Sequence, residues 1–214
     1  MKSIFKFFFI AVLFTTLMPL SSCKKGANDP TLSLRSRSSR LAGAWSLSSS
    51  DYTVVKATAS TKTTITDHYT FDGTKYTMVS TEVIGNSKPI VDTFKYTYSE
   101  LLTIDKANKF IRVTTFNYGP PFTAQTSTES GNWSWLNKDK DAELKKKEAV
   151  VFMSEKFVQG TGTGSTSTNG KTDNPVVILI DELRNSKLVI LNNSTSNDGG
   201  GTIYTTTGSM TYVQ

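Results

Sequence analysis

Hydrophobic and polar residues alternate with a period of two along most of this chain. Ile65, Asp67, Tyr69 and Phe71 fall on one side of an extended segment, and Thr64, Thr66, His68 and Thr70 on the other. Asp72-Gly73 then supplies a tight turn into a second segment, 75–83. In 90–98 the pattern repeats, with Phe94, Tyr96 and Tyr98 on one face and Thr93, Lys95 and Thr97 on the other. Segments 101–105 and 110–116 are joined across Lys106-Ala107-Asn108-Lys109 as another hairpin, and Pro120-Pro121 marks a loop. Gly131, Trp133 and Trp135 share a face of 130–136, and strands are further expected at 149–153, 176–180, 187–191 and 202–213. Asp181-Glu182-Leu183 reads as a short turn between two of them, and 157–175 as an unusually long loop. About 8–10 strands with hairpin-length links predict an all-β fold, a single antiparallel meander whose edges are best removed by closing into a barrel.

Composition supports that class. Threonine and serine are abundant, and apolar stripes of helical period are missing, which suits pleated, half-buried surfaces. The chain has 214 residues and a formal net charge of +6; subtracting Lys2 and Lys6 of the leader leaves 22 basic against 18 acidic residues, net +4. The basic residues are scattered and form no stripe interleaved with aromatics, so no nucleic-acid partner is expected. Cys23 is the only cysteine, so no disulfide forms within the chain.

The N-terminus has a different pattern. Lys2 and Lys6 precede an apolar run, 7–20, followed by small residues, the three parts of a secretory signal over 1–22. As a helix the run spans roughly 21 Å, too short for a bilayer core of about 30 Å. Leu20-Ser21-Ser22-Cys23 resembles the lipobox of bacterial lipoproteins. That resemblance implies that Cys23 carries a diacylglyceryl group and becomes the acylated first residue of the mature protein. Two or three acyl chains anchor durably where one does not, and Lys24 and Lys25 would lie at the headgroups. Residue 24 is not Asp, which favours the outer membrane, in either leaflet. Residues 23–40, with Gly26, Pro30 and a Ser/Arg alternation, read as a flexible tether, and 41–214 as one domain.

That domain opens on Gly43-Ala44-Trp45 at its first strand, and later carries Gly131-Asn132-Trp133-Ser134-Trp135 and the apolar pair of segments in 176–191. These features resemble the lipocalin-like (calycin-type) domains of bacterial lipoproteins. The resemblance implies a barrel plugged at one end by Trp45, with Gly43 letting the backbone pass close. It also implies non-covalent binding of a small, largely apolar ligand, or an envelope structural role. Inward aromatics either fill such a barrel or line a cavity. Tyr69, Phe71, Phe94, Tyr96, Tyr98 and Trp133 are the candidate ligand contacts, and a lumen closed by side chains, with no pocket of about 300 Å³ or more, would rule out a ligand carrier. Were the aromatics on an outward face, a surface glycan platform would follow.

Catalytic readings fare worse. His68, the only histidine, lies on the polar face of its strand, which leaves no Ser/His/Asp triad with a spare member and no histidine-based metal site. A hydrolase using carboxylates alone would draw on Asp67, Asp92, Glu129 or Glu182, and no spacing selects a pair. The run Gly164 to Thr172 departs from a P-loop in glycine spacing and lacks the helix after it. Asp139-Lys140-Asp141-Ala142-Glu143 lacks the later glycine and glutamate of a calcium loop. No enzyme activity, cofactor or metal is therefore expected, and a monomer is favoured.

Overall fold

The computed structural model describes residues 36–136, 149–161, 164–168 and 175–214. The signal-like segment, Cys23, Lys24, Lys25 and the acidic run 139–143 lie outside them. Among the described residues a short helix, α1 (Arg37–Leu41), precedes twelve strands. These are β1 (Gly43–Thr58), β2 (Thr63–Phe71), β3 (Lys75–Ile84), β4 (Ile90–Ile104), β5 (Lys109–Asn117), β6 (Gln125–Trp135), β7 (Ala149–Thr161), β8 (Gly164–Thr168), β9 (Val176–Leu183), β10 (Lys187–Leu191), β11 (Ser194–Asn197) and β12 (Thr202–Val213). All pairings are antiparallel, and β1 pairs with β12 from Ser46 to Thr58, so one sheet closes in a ring of ten strands.

The ring changes size along its length. Gly43–Ser46 of β1 pair directly with Leu101–Ile104 of β4. Past the register shift at Leu47/Ser49, β1 turns away and pairs with β2 instead. The β2–β3 hairpin thus inserts where β1 and β4 diverge, adding two strands to the eight present at the Trp45 end. A bulge bends the strand that carries it, which suits such a change of partner.

Several boundaries differ from the alternation pattern. Residues 101–105 are not a separate strand: β4 runs unbroken to Ile104, pairing first with β3 and then with β5. Serines 48–50 and Asp51 hid the second half of β1, because a polar run shows no period. The segment 157–175 is not all loop, since β7 continues to Thr161 and β8 folds back on it. The glycine-rich run from Gly164 thus begins as a strand. β9 runs on to Leu183, and Arg184 closes the turn through its N–H to the carbonyl of Lys187. The expected turn at Asp72-Gly73 forms, and Asp72 Oδ1 accepts from the N–H groups of Thr74 and Lys75 at 2.9 and 2.8 Å.

At the narrow end, α1 closes the ring. The Oγ of Ser36 caps α1 by accepting from the N–H of Ser39, and Arg37, Arg40 and Leu41 are buried. Residues 36–40, expected as tether, are thus part of the folded domain. Trp45 is wholly buried, and its indole N–H donates to the carbonyl of Leu41 at 2.7 Å. Trp135 donates to Ser38 Oγ at 2.8 Å, and Arg40 donates to the carbonyl of Leu183. The core beneath this cap draws Leu102, Ile104, Phe110, Trp133, Val150, Phe152, Ile180, Leu188 and Tyr212 from all the remaining strands of the narrow ring.

Candidate functional site

Above the apolar plug the ring interior becomes ionic. On β4 the inward series Tyr98, Glu100, Leu102, Ile104, half-buried at its first two positions and buried at the last two, places a carboxylate among apolar side chains. Arg112 faces it from β5, in register with Leu102 on one side and Glu129 of β6 on the other. Arg112 Nη1 lies 3.1 Å from Glu129 Oε2, and Nε lies 3.5 Å from Glu100 Oε1. The hydroxyls of Tyr98 and Tyr212 donate to the two oxygens of Glu100 at 2.7 and 2.9 Å. Ser154 Oγ donates to Glu129 Oε1. Charges taken out of water are costly unless paired and hydrogen-bonded, and six side chains on five strands share that requirement here.

Protonation follows the packing. Burial pushes the Tyr98 and Tyr212 phenols well above their ordinary range, and the Glu100 carboxylate beside them adds to the effect. Burial works against the charge on Arg112, but Glu100, Tyr212 and Glu129 outweigh it and hold its pKa above the usual value.

Toward the wide end, tyrosines stack on one another. The rings of Tyr52 and Tyr69 are parallel at 4.8 Å, Tyr76 meets Tyr98 edge-on at 4.7 Å, and Tyr96 lies 5.6 Å from Tyr76 and 5.1 Å from Tyr118. Ser50 Oγ donates to the Tyr76 hydroxyl at 3.0 Å. Burial raises Tyr52, Tyr69 and Tyr76, and pushes Tyr96 up to about 12. Phe122 and Tyr118 continue the group to the surface, 65% and 52% exposed.

A cavity of about 210 Å³ opens beside the ionic cluster. Glu100, Arg112 and Tyr212 line its inner end. Val176–Leu179 form one wall, and Leu191, Asn192, Asn193 and Ser194 the other, with Met210 between. Its position follows from strand lengths. β10 stops at Leu191, opposite Leu179, so among the described residues Val176–Ile178 have ladder partners only on the β7 side. Beneath Arg112 the apolar core leaves a void of only about 10 Å³, the room of one water. The plug end is therefore packed, and the usable space lies above it.

The candidate contacts drawn from sequence occupy other places. Phe71 and Trp133 are core, 4% exposed each, and Trp133 donates to the carbonyl of Asp105 at 2.9 Å. Tyr69, Tyr96 and Tyr98 pack against that core, and Phe94 is half exposed near the wide end. Phe94, Tyr96 and Tyr98 share one face, yet none of the six lines the cavity. Gly43 lies against the side chain of Gln214. His68 sits on the outer face, 2.9 Å from Asp51 Oδ1. Of the four carboxylates, Glu129 belongs to the ionic cluster and Glu182 is tied to Lys187 at 2.7 Å and to Arg184. Asp67 faces inward from β2 with Oδ1 buried and unpartnered, and Asp92 is exposed. Glu100 and Arg112 carried a readable signal: each sits at a buried parity, between Tyr98 and Leu102 and after Phe110.

Among the described residues there is no group of three or more metal-ligating side chains, and no helix long and apolar enough to cross a membrane. Comparison with known families, curated proteins and solved structures finds no match to this chain.

Proposed function

We propose that this chain is an exported lipoprotein, anchored through Cys23 in the outer membrane, whose lipocalin-like barrel holds a small ligand without covalent chemistry. The cavity of about 210 Å³ carries the reading, because it joins apolar walls at Val176, Val177 and Ile178 to polar groups at Glu100, Arg112 and Tyr212. A few convergent polar groups in an otherwise apolar concavity are the usual make-up of a small-molecule site. The volume falls short of the roughly 300 Å³ expected of a carrier, which counts against a cargo of lipocalin size and narrows the reading to a smaller ligand. Support for export and anchorage comes from the leader and the Leu20-Ser21-Ser22-Cys23 sequence.

Mass spectrometry of compounds released by denaturing the natively purified protein tests the binding reading. A small molecule near one per chain is expected, and its absence from freshly purified protein argues for a purely structural domain. Fractionation tests the anchor: Cys23→Ala should move the protein from the membrane to the soluble fraction.

A second reading has one observation in its favour. Tyr118 and Phe122 stand exposed at the rim beside Tyr96, an arrangement on which a sugar ring stacks. Retention on a glycan array, lost in Phe122→Ala, distinguishes this surface from the cavity.

A further inference from the structure

The charge balance around the cavity selects among ligand chemistries. Among the described residues Glu100 and Glu129 face a single guanidinium, Arg112, so the cluster carries one formal negative charge in excess. Its other members, Tyr98, Tyr212 and Ser154, are neutral donors. We propose that the cavity takes a small cationic ligand, a primary ammonium on a short apolar body, with Glu100 as its counter-ion. The inference rests on the reading of the cavity as a ligand site.

Three observations carry it. First, Glu100 borders the cavity, and its side chain is only 9% exposed, so a charge there meets little competing water. Second, Glu100 keeps spare accepting capacity. A carboxylate offers about four lone-pair sites. Tyr98 uses one on Oε2 and Tyr212 one on Oε1, while Arg112 Nε sits 3.5 Å from Oε1 and forms no hydrogen bond. An ammonium with three donors can use what remains. Third, the apolar walls beyond Glu100, at Val176, Val177, Ile178, Leu191 and Met210, suit a short hydrocarbon. The polar groups beside them at Asn192, Asn193 and Ser194 are uncharged, and the other charged lining residue among those described, Arg112, is held by Glu129. An anionic ligand would place a third negative charge beside one guanidinium, and a neutral ligand would leave the excess uncompensated.

Calorimetric titration of the purified protein with hexylammonium, hexanol and hexanoate tests this with one chain length and three head groups. Hexylammonium should bind about tenfold or more tighter than hexanol, with hexanoate undetectable. Glu100→Gln should reduce hexylammonium to the affinity of hexanol and leave hexanol unchanged. Val176→Trp, at an exposed position of the cavity wall, leaves the ionic cluster intact and should abolish binding of both, which keeps the test open should Glu100→Gln fail to fold. Equal or tighter binding of hexanol or hexanoate overturns the cationic preference while leaving a ligand cavity standing. Hexylammonium binding that survives Val176→Trp unchanged places it elsewhere and overturns the proposal. Failure of all three probes to bind overturns the cavity reading itself.

Discussion

The hydroxyl of Tyr212, on the last strand, donates to Oε1 of Glu100 at 2.9 Å, joining positions 112 residues apart. That bond runs inside the ring past β1, which pairs with both strands at this level. It ties the strand that closes the sheet to the carboxylate beside the cavity, so closure and site depend on the same contact.

Arg112 and Glu129 should be strongly coupled. Removing one partner of a buried pair leaves an uncompensated charge, at a cost of about 3–5 kcal/mol when burial is complete. Arg112 is a quarter exposed, so Arg112→Leu should cost about 2–3 kcal/mol by denaturant unfolding. The Arg112→Leu/Glu129→Gln double variant should recover part of that loss. Strict additivity of the two single effects would show that the pair contributes nothing.

Trp45→Ala should destabilise by about 3–5 kcal/mol, because it empties the core beneath α1 and orphans the carbonyl of Leu41. Trp45→Phe keeps most of the volume and loses the hydrogen bond, so its effect should be roughly half. An unchanged melting curve for Trp45→Ala would mean that α1 closes the ring without it.

Gly208 should resist even alanine. A Cβ there would lie 2.3 Å from the carbonyl oxygen of Asp51 and 2.4 Å from the Cα of Tyr52, and φ is +145°. Both neighbours are backbone of β1, so the closing β1–β12 ladder must part. Gly208→Ala should cost about 2 kcal/mol or more by urea unfolding. A loss below about 0.5 kcal/mol would show that the ladder yields freely.

Stability should fall at alkaline pH. Tyr52, Tyr69, Tyr76, Tyr96, Tyr98 and Tyr212 are all raised by burial above the ordinary tyrosine value of 10.0. In the unfolded chain these phenols ionise near that value, while in the folded chain they hold their protons. The unfolded state therefore binds fewer protons above pH 10, and stability drops as pH rises. Urea midpoints between pH 8 and 12 should be flat at first and then decline beyond about pH 10. A midpoint that holds steady to pH 12 would mean that the phenols ionise as readily in the fold.

Much of the sheet was legible from sequence, and the reasons are local. Ile65 to Phe71 and Ile90 to Tyr98 carry the alternation of a half-buried strand, and Asp72-Gly73 carries the chemistry of its turn. Elements without an apolar face were not legible. β8 and β11 are Ser/Thr-rich, β11 is exposed throughout, and the polar run 48–51 interrupts the alternation that would carry β1 to Thr58. Residues 36–40 look like a linker by composition, and only burial against Trp135 and Leu183 makes them helix and cap. The cavity was hidden for a different reason. It depends on where β10 stops relative to β9 and β12, a relation between strands far apart in sequence. Aromatic residues drew attention as ligand contacts, yet stacking on one another already satisfies them. The charged residues at inward parity, Glu100 and Arg112, are the ones that border the cavity.

Occupancy of the space beside Glu100 in the native protein decides between a ligand-binding and a purely structural domain. Small molecules released on denaturation should be compared, by mass spectrometry, between the natively purified protein and Val176→Trp. A compound carrying an amine, near one per chain in the parent and lost from the variant, is the result expected. No bound compound in the parent, or the same compound at the same level in Val176→Trp, would contradict it.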